Sequence, residues 1–147
     1  MNLVETVPRS AKDKLLGLVS LKRTIDKAKA FNEEALGEYH YNCPHDKSLF
    51  TFLGVDAKTF AQKVKELGND EAIAGWIQST YLAKKTSLDI AVFNANRLRW
   101  HPEPGSDAES YFLQTRDHIA PGRTDIVTWF DLFDLDEKRP MAEPTKL

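Results

Sequence analysis

The sequence predicts an all-α protein, a single compact domain of about seven short helices. Apolar residues recur three and four positions apart through most of the chain, a spacing typical of amphipathic helices. Residues that cap helix starts precede several of these segments, and glycines that end helices follow some of them. No segment alternates apolar and polar residues between hairpin turns, so the sequence does not predict a sheet.

The first two predicted helices lie in the N-terminal quarter of the chain. Residues 10–13, SAKD, have the form of a capping box, in which a hydroxyl and a carboxylate bond to backbone amides at the helix start. Apolar residues at 15–19 follow at helical spacing, although Gly17 weakens the middle of that helix. A second helix is predicted from Ser20 to Gly37, because glycine readily adopts the left-handed conformation that ends helices.

Five further helices are predicted up to residue 120, each from a residue that suits a helix start. Proline fits the first turn because its missing N–H has no partner there, and short polar side chains accept amide hydrogens of the first turn. The predicted starts are Cys43-Pro44, Asp56, Asn69, Thr86 and Ser106. Gly54 and Gly68 end two of these helices.

A last helix is predicted from Thr124 or Asp125, because the apolar residues between 126 and 133 share one helical face. The residues after it are polar and interrupted by prolines. The sequence therefore predicts a helical domain over residues 1–137 and a flexible C-terminal tail over residues 138–147.

The composition is that of an ordinary globular protein, with 41% hydrophobic and 29% charged residues among 147. No apolar run approaches the roughly 18 residues that a membrane span requires, and the start MNLVETVPRS lacks the features of a signal peptide. Cys43 is the one cysteine of the chain and cannot form an internal disulfide. These observations predict a cytoplasmic protein without a membrane partner.

The charges are unevenly distributed although the net charge is only -2. Residues 1–30 contain seven basic and three acidic residues, whereas residues 101–147 contain five basic and ten acidic ones. The basic end is either a phosphate-facing surface or a solvated helix face. Because no aromatic residues are interleaved with its lysines, nucleic-acid binding is not predicted.

The stretch GEYHYNCPHD, residues 37–46, is the part of the sequence where side chains able to titrate, bind a metal or act as nucleophiles are most concentrated. We call it the turn segment. One interpretation is a structural corner between two helices. A second is a ligand-binding site formed by Tyr39, His40, Tyr41, Asn42 and His45.

Two catalytic alternatives use the same segment. Cys43 at a helix start, with His40 or His45 nearby, has the ingredients of a thiol nucleophile. His40, Cys43 and His45, joined by His101 or His118, are a loose pattern for an open metal site. A structural zinc site is disfavoured because it commonly needs paired cysteines.

Three stretches resemble a known family. PRSAKDKLLGLVSLKRTIDKAKA, GEYHYNCPHDKSLFTFLGVD and IAPGRTDIVTWFDLFDLDEKRP are similar to small bacterial proteins catalogued as domain of unknown function 5069. The resemblance implies a stand-alone cytoplasmic protein. It implies no activity, cofactor or catalytic residue.

The sequence favours a non-enzymatic helical protein that binds a protein partner or a small ligand near residues 39–46. The chain lacks the phosphate loop, the dinucleotide fingerprint, HExxH, GxSxG and a paired CxxC, so no cofactor and no metal are predicted. The alternative is an enzyme that uses Cys43 with His40 or His45 in thiol or metal-assisted chemistry.

Overall fold

The computed structural model of the protein describes residues 1–141 and 143–147. Within these residues the chain forms seven α-helices and one π-helix, and pairing between extended segments is limited to one isolated bridge between Leu15 and Leu18. The predicted all-α fold with about seven short helices is therefore confirmed. Among the same residues, no helix is both long and apolar enough to cross a membrane.

The helices are numbered in chain order. They are α1 (Leu21–Asn32), α2 (Pro44–Leu53), α3 (Ala57–Leu67), α4 (Asp70–Ile77), α5 (Ser87–Leu98), α6 (Asp107–Ile119) and α7 (Trp129–Asp136). The π-helix, Gln78–Leu82, directly continues α4.

The chain divides into two compact units, Met1–Phe93 and Asn94–Leu147. The predicted domain boundary at residue 137 stays a prediction. The predicted flexible tail, residues 138–147, includes Ala142, which lies outside the described residues. Elsewhere in that segment, the Thr145 amide donates a hydrogen bond to the Asp131 carboxylate at 2.7 Å.

In the first unit α1 packs along α3, and α3 packs against α4. Leu21, Ile25 and Ala28 supply the apolar face of α1 and are fully buried. Its polar side is buried as well, which is unusual for charged residues unless they are paired. The buried polar residues of α1 are Arg23, Thr24, Asp26 and Lys27.

In the second unit α6 packs against α7. The buried core there consists of Phe112, Ile126 and Leu132, and Trp129 packs on it with its ring centroid 5.1 Å from that of Phe112. The edge-to-face angle of 83° between these rings is a favourable arrangement for aromatic pairs.

Most predicted helix starts carry the caps that the sequence indicates. The Thr86 and Asp89 side chains accept each other's backbone N–H groups, which is a capping box. Three other caps accept a hydrogen bond from the residue three positions later. They are Asp56, Asn69 and Ser106.

The helix predicted over residues 10–19 is wrong. Leu16, Gly17 and Ser20 have φ angles of 56°, 74° and 75°, which a right-handed helix does not allow. The Ser10 hydroxyl accepts the Lys12 amide in a local turn, and such bonds compete with helix formation. The apolar residues of this segment are still used, because Leu18 and Val19 are fully buried.

The second predicted helix ends at Asn32, five residues before Gly37. The chain turns at Glu34, which has a φ of 53°, and the Ala35 amide donates to the Ala30 carbonyl at 2.8 Å. Gly37 has a different role. Its φ is 60°, and a Cβ there would lie 3.1 Å from the Leu3 carbonyl oxygen, so a glycine allows the N-terminal segment to approach.

The last helix begins later than predicted. Thr128 is its N-cap and accepts the Asp131 amide, so α7 begins at Trp129. Asp125 instead forms an ion pair with Arg123 at 2.9 Å. Ile126 is fully buried although it precedes the helix, which explains why its apolar character suggested an earlier start.

Candidate functional site

The turn segment leads directly into α2, as its proline predicts. Cys43 is the N-cap of α2 in an extended conformation, and Pro44 occupies the first helical position. Asn42 has a φ of 64°, a left-handed conformation that asparagine tolerates better than most residues. The left-handed turn at Asn42 therefore immediately precedes the start of α2.

Asp46 is the most completely buried group of the turn segment, with an exposed fraction of 0%. Its carboxylate accepts the Asn42 amide at 2.9 Å and the Thr24 hydroxyl at 3.1 Å. It also forms an ion pair with the Lys27 ammonium at 2.9 Å, and that side chain is only 5% exposed. The Lys27–Asp46 pair thus joins α2 to α1 with its polar groups satisfied, as buried charges require.

Cys43 is a free, half-buried cysteine whose sulfur lies 3.2 Å from the Lys27 ammonium nitrogen. A cationic neighbour is one of the features that accompany reactive cysteines. Lys27 donates at the same time to Asp46, whose negative charge offsets much of the ammonium charge at the sulfur. The contact between Lys27 and Cys43 could not be predicted from the sequence, because the two residues are sixteen positions apart.

The two histidines of the turn segment have different surroundings. His40 is exposed to solvent, whereas His45 is buried in α2 with 2% of its surface exposed. Among the residues that the structure describes, no three His, Cys, Asp or Glu side chains converge on a point where a metal ion could be held. His101 and His118 belong to the second unit.

A cavity of about 550 Å³ lies beside the turn segment, between the end of α1 and one face of α3. We call it the α1–α3 cavity. Two of the predicted ligand-binding residues, Tyr41 and Asn42, line it, whereas Tyr39, His40 and His45 are not among its lining residues. The remaining lining residues are Phe31, Asn32, Ala57, Lys58, Ala61, Gln62 and Lys65.

Tyr41 forms the rigid wall of this cavity. Its ring stacks on Phe31 with 4.9 Å between the centroids and meets Phe50 edge-on at 5.8 Å. Its hydroxyl donates to the Ala57 carbonyl at 2.6 Å. Burial raises the pKa of Tyr41, and the nearby Asp46 carboxylate raises that pKa further. Tyr41 is therefore a neutral, hydrogen-bonded group at physiological pH.

Sequence reasoning missed the α3 side of the cavity. Lys58, Ala61 and Lys65 recur three and four positions apart, so they share one face of the helix. The small Ala61 leaves room where a larger residue would fill the space. In the sequence these lysines look like any solvated helix face, and their relation to residues 41 and 42 depends on the packing of α1 against α3.

The basic N-terminal residues are partly neutralised inside the first unit. The Arg9 guanidinium bonds to both Asp26, at 3.0 Å, and Asp70, at 2.5 Å. The hydrogen bond from Arg9 lowers the pKa of Asp70. Arg9 and Lys27, two of the basic residues near the N-terminus, are therefore paired with carboxylates inside the first unit.

The chain belongs to the family described as a domain of unknown function, DUF5069, whose model matches residues 5–139. No match was found among curated proteins.

Proposed function

We propose that this member of the DUF5069 family is a non-enzymatic binding protein of the bacterial cytoplasm that holds a small ligand in the α1–α3 cavity. The observation that carries the proposal is the cavity itself. Its volume of about 550 Å³ falls within the range of small-molecule sites. It combines a rigid aromatic wall with a few polar groups, which is the usual make-up of such sites.

The lining of the cavity favours binding over catalysis. The phenolic hydroxyl of Tyr41 is already bonded to the Ala57 carbonyl. Among the described residues that line the cavity there is no Cys, His, Asp, Glu or Ser to act as a nucleophile or a general base. The groups that remain are side-chain amides, rings and lysines, and a protonated lysine is a hydrogen-bond donor rather than a nucleophile.

The location in the cytoplasm rests on the cysteine. Cys43 is the single cysteine of the sequence and is present as a free thiol. Free thiols are typical of proteins in a reducing compartment. The bacterial origin rests on the sequence resemblance described above.

The proposal is tested by screening a fragment library against 15N-labelled protein. Binding fragments should shift the amides of residues 41–42 and 57–65 together. Gln62→Trp places a large ring at the exposed edge of the cavity and should abolish those shifts, while Lys63→Trp, on the same helix but outside the lining, should keep them. Fragment shifts that cluster elsewhere, or that survive Gln62→Trp, would contradict a ligand site in the cavity.

A second candidate function, thiol chemistry at Cys43, is favoured by one observation, the 3.2 Å approach of the Lys27 ammonium to the sulfur. The predicted histidine partners are replaced in this version by Lys27. Iodoacetamide should then alkylate native Cys43 faster than free cysteine at pH 7. Lys27→Gln, checked to be folded by its thermal transition, should remove that advantage, while Lys22→Gln keeps it. Alkylation slower than that of free cysteine would exclude this candidate.

A further inference from the structure

The two charged side chains among the described lining residues of the α1–α3 cavity are both cationic. Two lysines, Lys58 and Lys65, stand on its α3 side, and no carboxylate is among its described lining residues. Within the described residues neither lysine has a carboxylate at ion-pair distance, although hydrogen bonds at the helix start and then the charge of Lys58 lower the pKa of Asp56. Lys63, on a neighbouring face of the same helix, differs because it pairs with Glu66 at 3.3 Å. The two ammonium groups at the cavity are thus available to an anion from solution.

The two lysines are spaced to frame one molecule. They are seven positions apart in α3, which is two helical turns or about 10 Å along the axis. Ala61 lies between them and is buried, with 3% of its surface exposed. A ligand that lies along this stretch of α3 therefore has a cation near either end.

The opposite side of the cavity is aromatic. Phe31, the penultimate residue of α1, is 48% exposed although it is stacked on Tyr41. A flat apolar group that covers the free part of this pair removes aromatic surface from water and gains the contacts of ring stacking. The side-chain amide of Asn42 lies at the same cavity and can donate hydrogen bonds, whereas that of Gln62 already donates to the Glu66 carboxylate at 3.3 Å.

We propose that the α1–α3 cavity selects a small carboxylic acid with a flat, apolar body. The body lies against Phe31 and Tyr41, and the carboxylate accepts hydrogen bonds from the ammonium of Lys58 or Lys65. A charged acceptor strengthens such bonds, and a cationic ligand is repelled by both lysines. This inference rests on the proposed function, because it names the ligand class of the same cavity.

Three probes with the same flat ring system and nearly equal size, but different charge, measure how much the charge of the ligand contributes to binding. They are 2-naphthoate, 2-naphthylmethanol and 2-naphthylmethylammonium, titrated into the full chain at low salt and followed by the amide shifts of residues 41–42 and 57–65. We expect naphthoate to bind about two- to fivefold more tightly than the alcohol, as ion pairs near the surface allow. The ammonium compound should bind more weakly than the alcohol. Added salt should reduce the naphthoate advantage.

Matched variants assign that advantage to the two lysines. Lys58→Gln combined with Lys65→Gln should bring naphthoate to the affinity of the alcohol and leave the alcohol unchanged. Lys63→Gln removes one charge from the same helix outside the cavity and should preserve the difference. All three positions are solvent-facing or half-exposed, so an unchanged thermal transition checks that the variants fold.

The outcomes distinguish the ligand class from the site. If the alcohol binds at the cavity as tightly as naphthoate, or if the double variant keeps the difference, the carboxylic-acid selectivity is overturned and the cavity remains a binding site. If none of the three probes shifts the cavity residues, the selectivity is overturned. Should the fragment screen also find nothing there, the proposed function fails with it.

Discussion

The two sides of residues 41–46 differ in what their polar groups contact. On the inner side, Lys27 and Thr24 both donate to the Asp46 carboxylate, and all three residues are almost completely buried. On the outer side, Tyr41 and Asn42 border a cavity whose lysines form no close ion pair within the described residues. The inner groups are satisfied by the fold, whereas the lysines of the outer side are left to solvent or a ligand. The reactive-looking residues of a sequence are therefore not necessarily those that it offers to other molecules.

The same contrast explains why only two of the ligand-binding residues predicted from the sequence, Tyr41 and Asn42, line the cavity. Asp46 lies in the first turn of α2, and its pairing with Lys27 spans nineteen positions. Lys58 and Lys65 looked like an ordinary wet face. Only the packing of α1 on α3 shows which of these residues faces an open space.

The largest loss of stability is expected from Lys27→Met, which removes the ion pair between Lys27 and Asp46 on the inner side. The substitution leaves the Asp46 carboxylate buried without its counter-ion, and such losses cost about 3–5 kcal/mol of the free energy of unfolding. Urea denaturation measures this cost. Lys22→Met, on the same helix but only half-buried, should change that free energy by less than about 0.5 kcal/mol.

A double variant checks the mechanism of that loss. Lys27→Met together with Asp46→Asn removes both charges, so it should recover part of the stability lost in the single variant. Equal stability of Lys27→Met and the native protein would show that the ion pair contributes nothing to the inner side.

An intermediate effect is expected at the junction between the turn segment and the N-terminal segment. Gly37→Ala places a methyl group 3.1 Å from the Leu3 carbonyl oxygen and 3.2 Å from the Val4 Cα at a φ of 60°. The strain should cost about 1–3 kcal/mol, measured by denaturation. Gly54→Ala is the matched control, since its φ is also positive and no atom lies within 4 Å of the added Cβ. It should cost less than Gly37→Ala.

The smallest effect is expected from Tyr41→Phe on the outer side. This change removes the hydrogen bond to the Ala57 carbonyl and should cost about 1 kcal/mol at pH 7. The stacking on Phe31 is retained, so the apolar wall of the cavity should persist. A loss above that of Gly37→Ala would mean that the outer side contributes more to folding than the contrast implies.

The pH dependence of the same variant sharpens the comparison. Burial raises the pKa of Tyr41 in the folded protein above its unfolded value of about 10. The folded state therefore holds this proton more tightly, and its contribution is present below pH 10 and is lost as the pH rises above 10. Stability curves between pH 9 and 11 should fall less steeply for Tyr41→Phe than for the native protein. Parallel curves would contradict the burial of this hydroxyl.

Local features of the fold could be predicted because they depend on a few neighbouring residues. Asp56, Asn69 and Ser106 cap the helices that their positions indicate, since each accepts an amide three residues later. The start of α2 at Pro44 was predictable for the same reason. These bonds need no knowledge of distant parts of the chain.

The errors arose where tertiary contacts override local pattern. Residues 10–19 have helical spacing, yet Leu16 and Ser20 are left-handed while Leu18 and Val19 are buried. Gly37 was expected to end a helix, whereas its conformation serves the close approach of Leu3. Burial of an apolar residue does not require a helix, and glycine has more than one use.

The π-helix bears on how chain length can vary among members of this family. Ile77 and Leu82 are both buried although they are five residues apart, which in a regular α-helix would place them about 140° apart around the axis. The wider π-turn brings them to one side because its hydrogen bonds span five residues. A chain with one residue fewer between them would keep both in the core as a plain α-helix. Deleting the exposed Thr80 should accordingly be tolerated, and sequence alignments of the family should place single-residue gaps at this point.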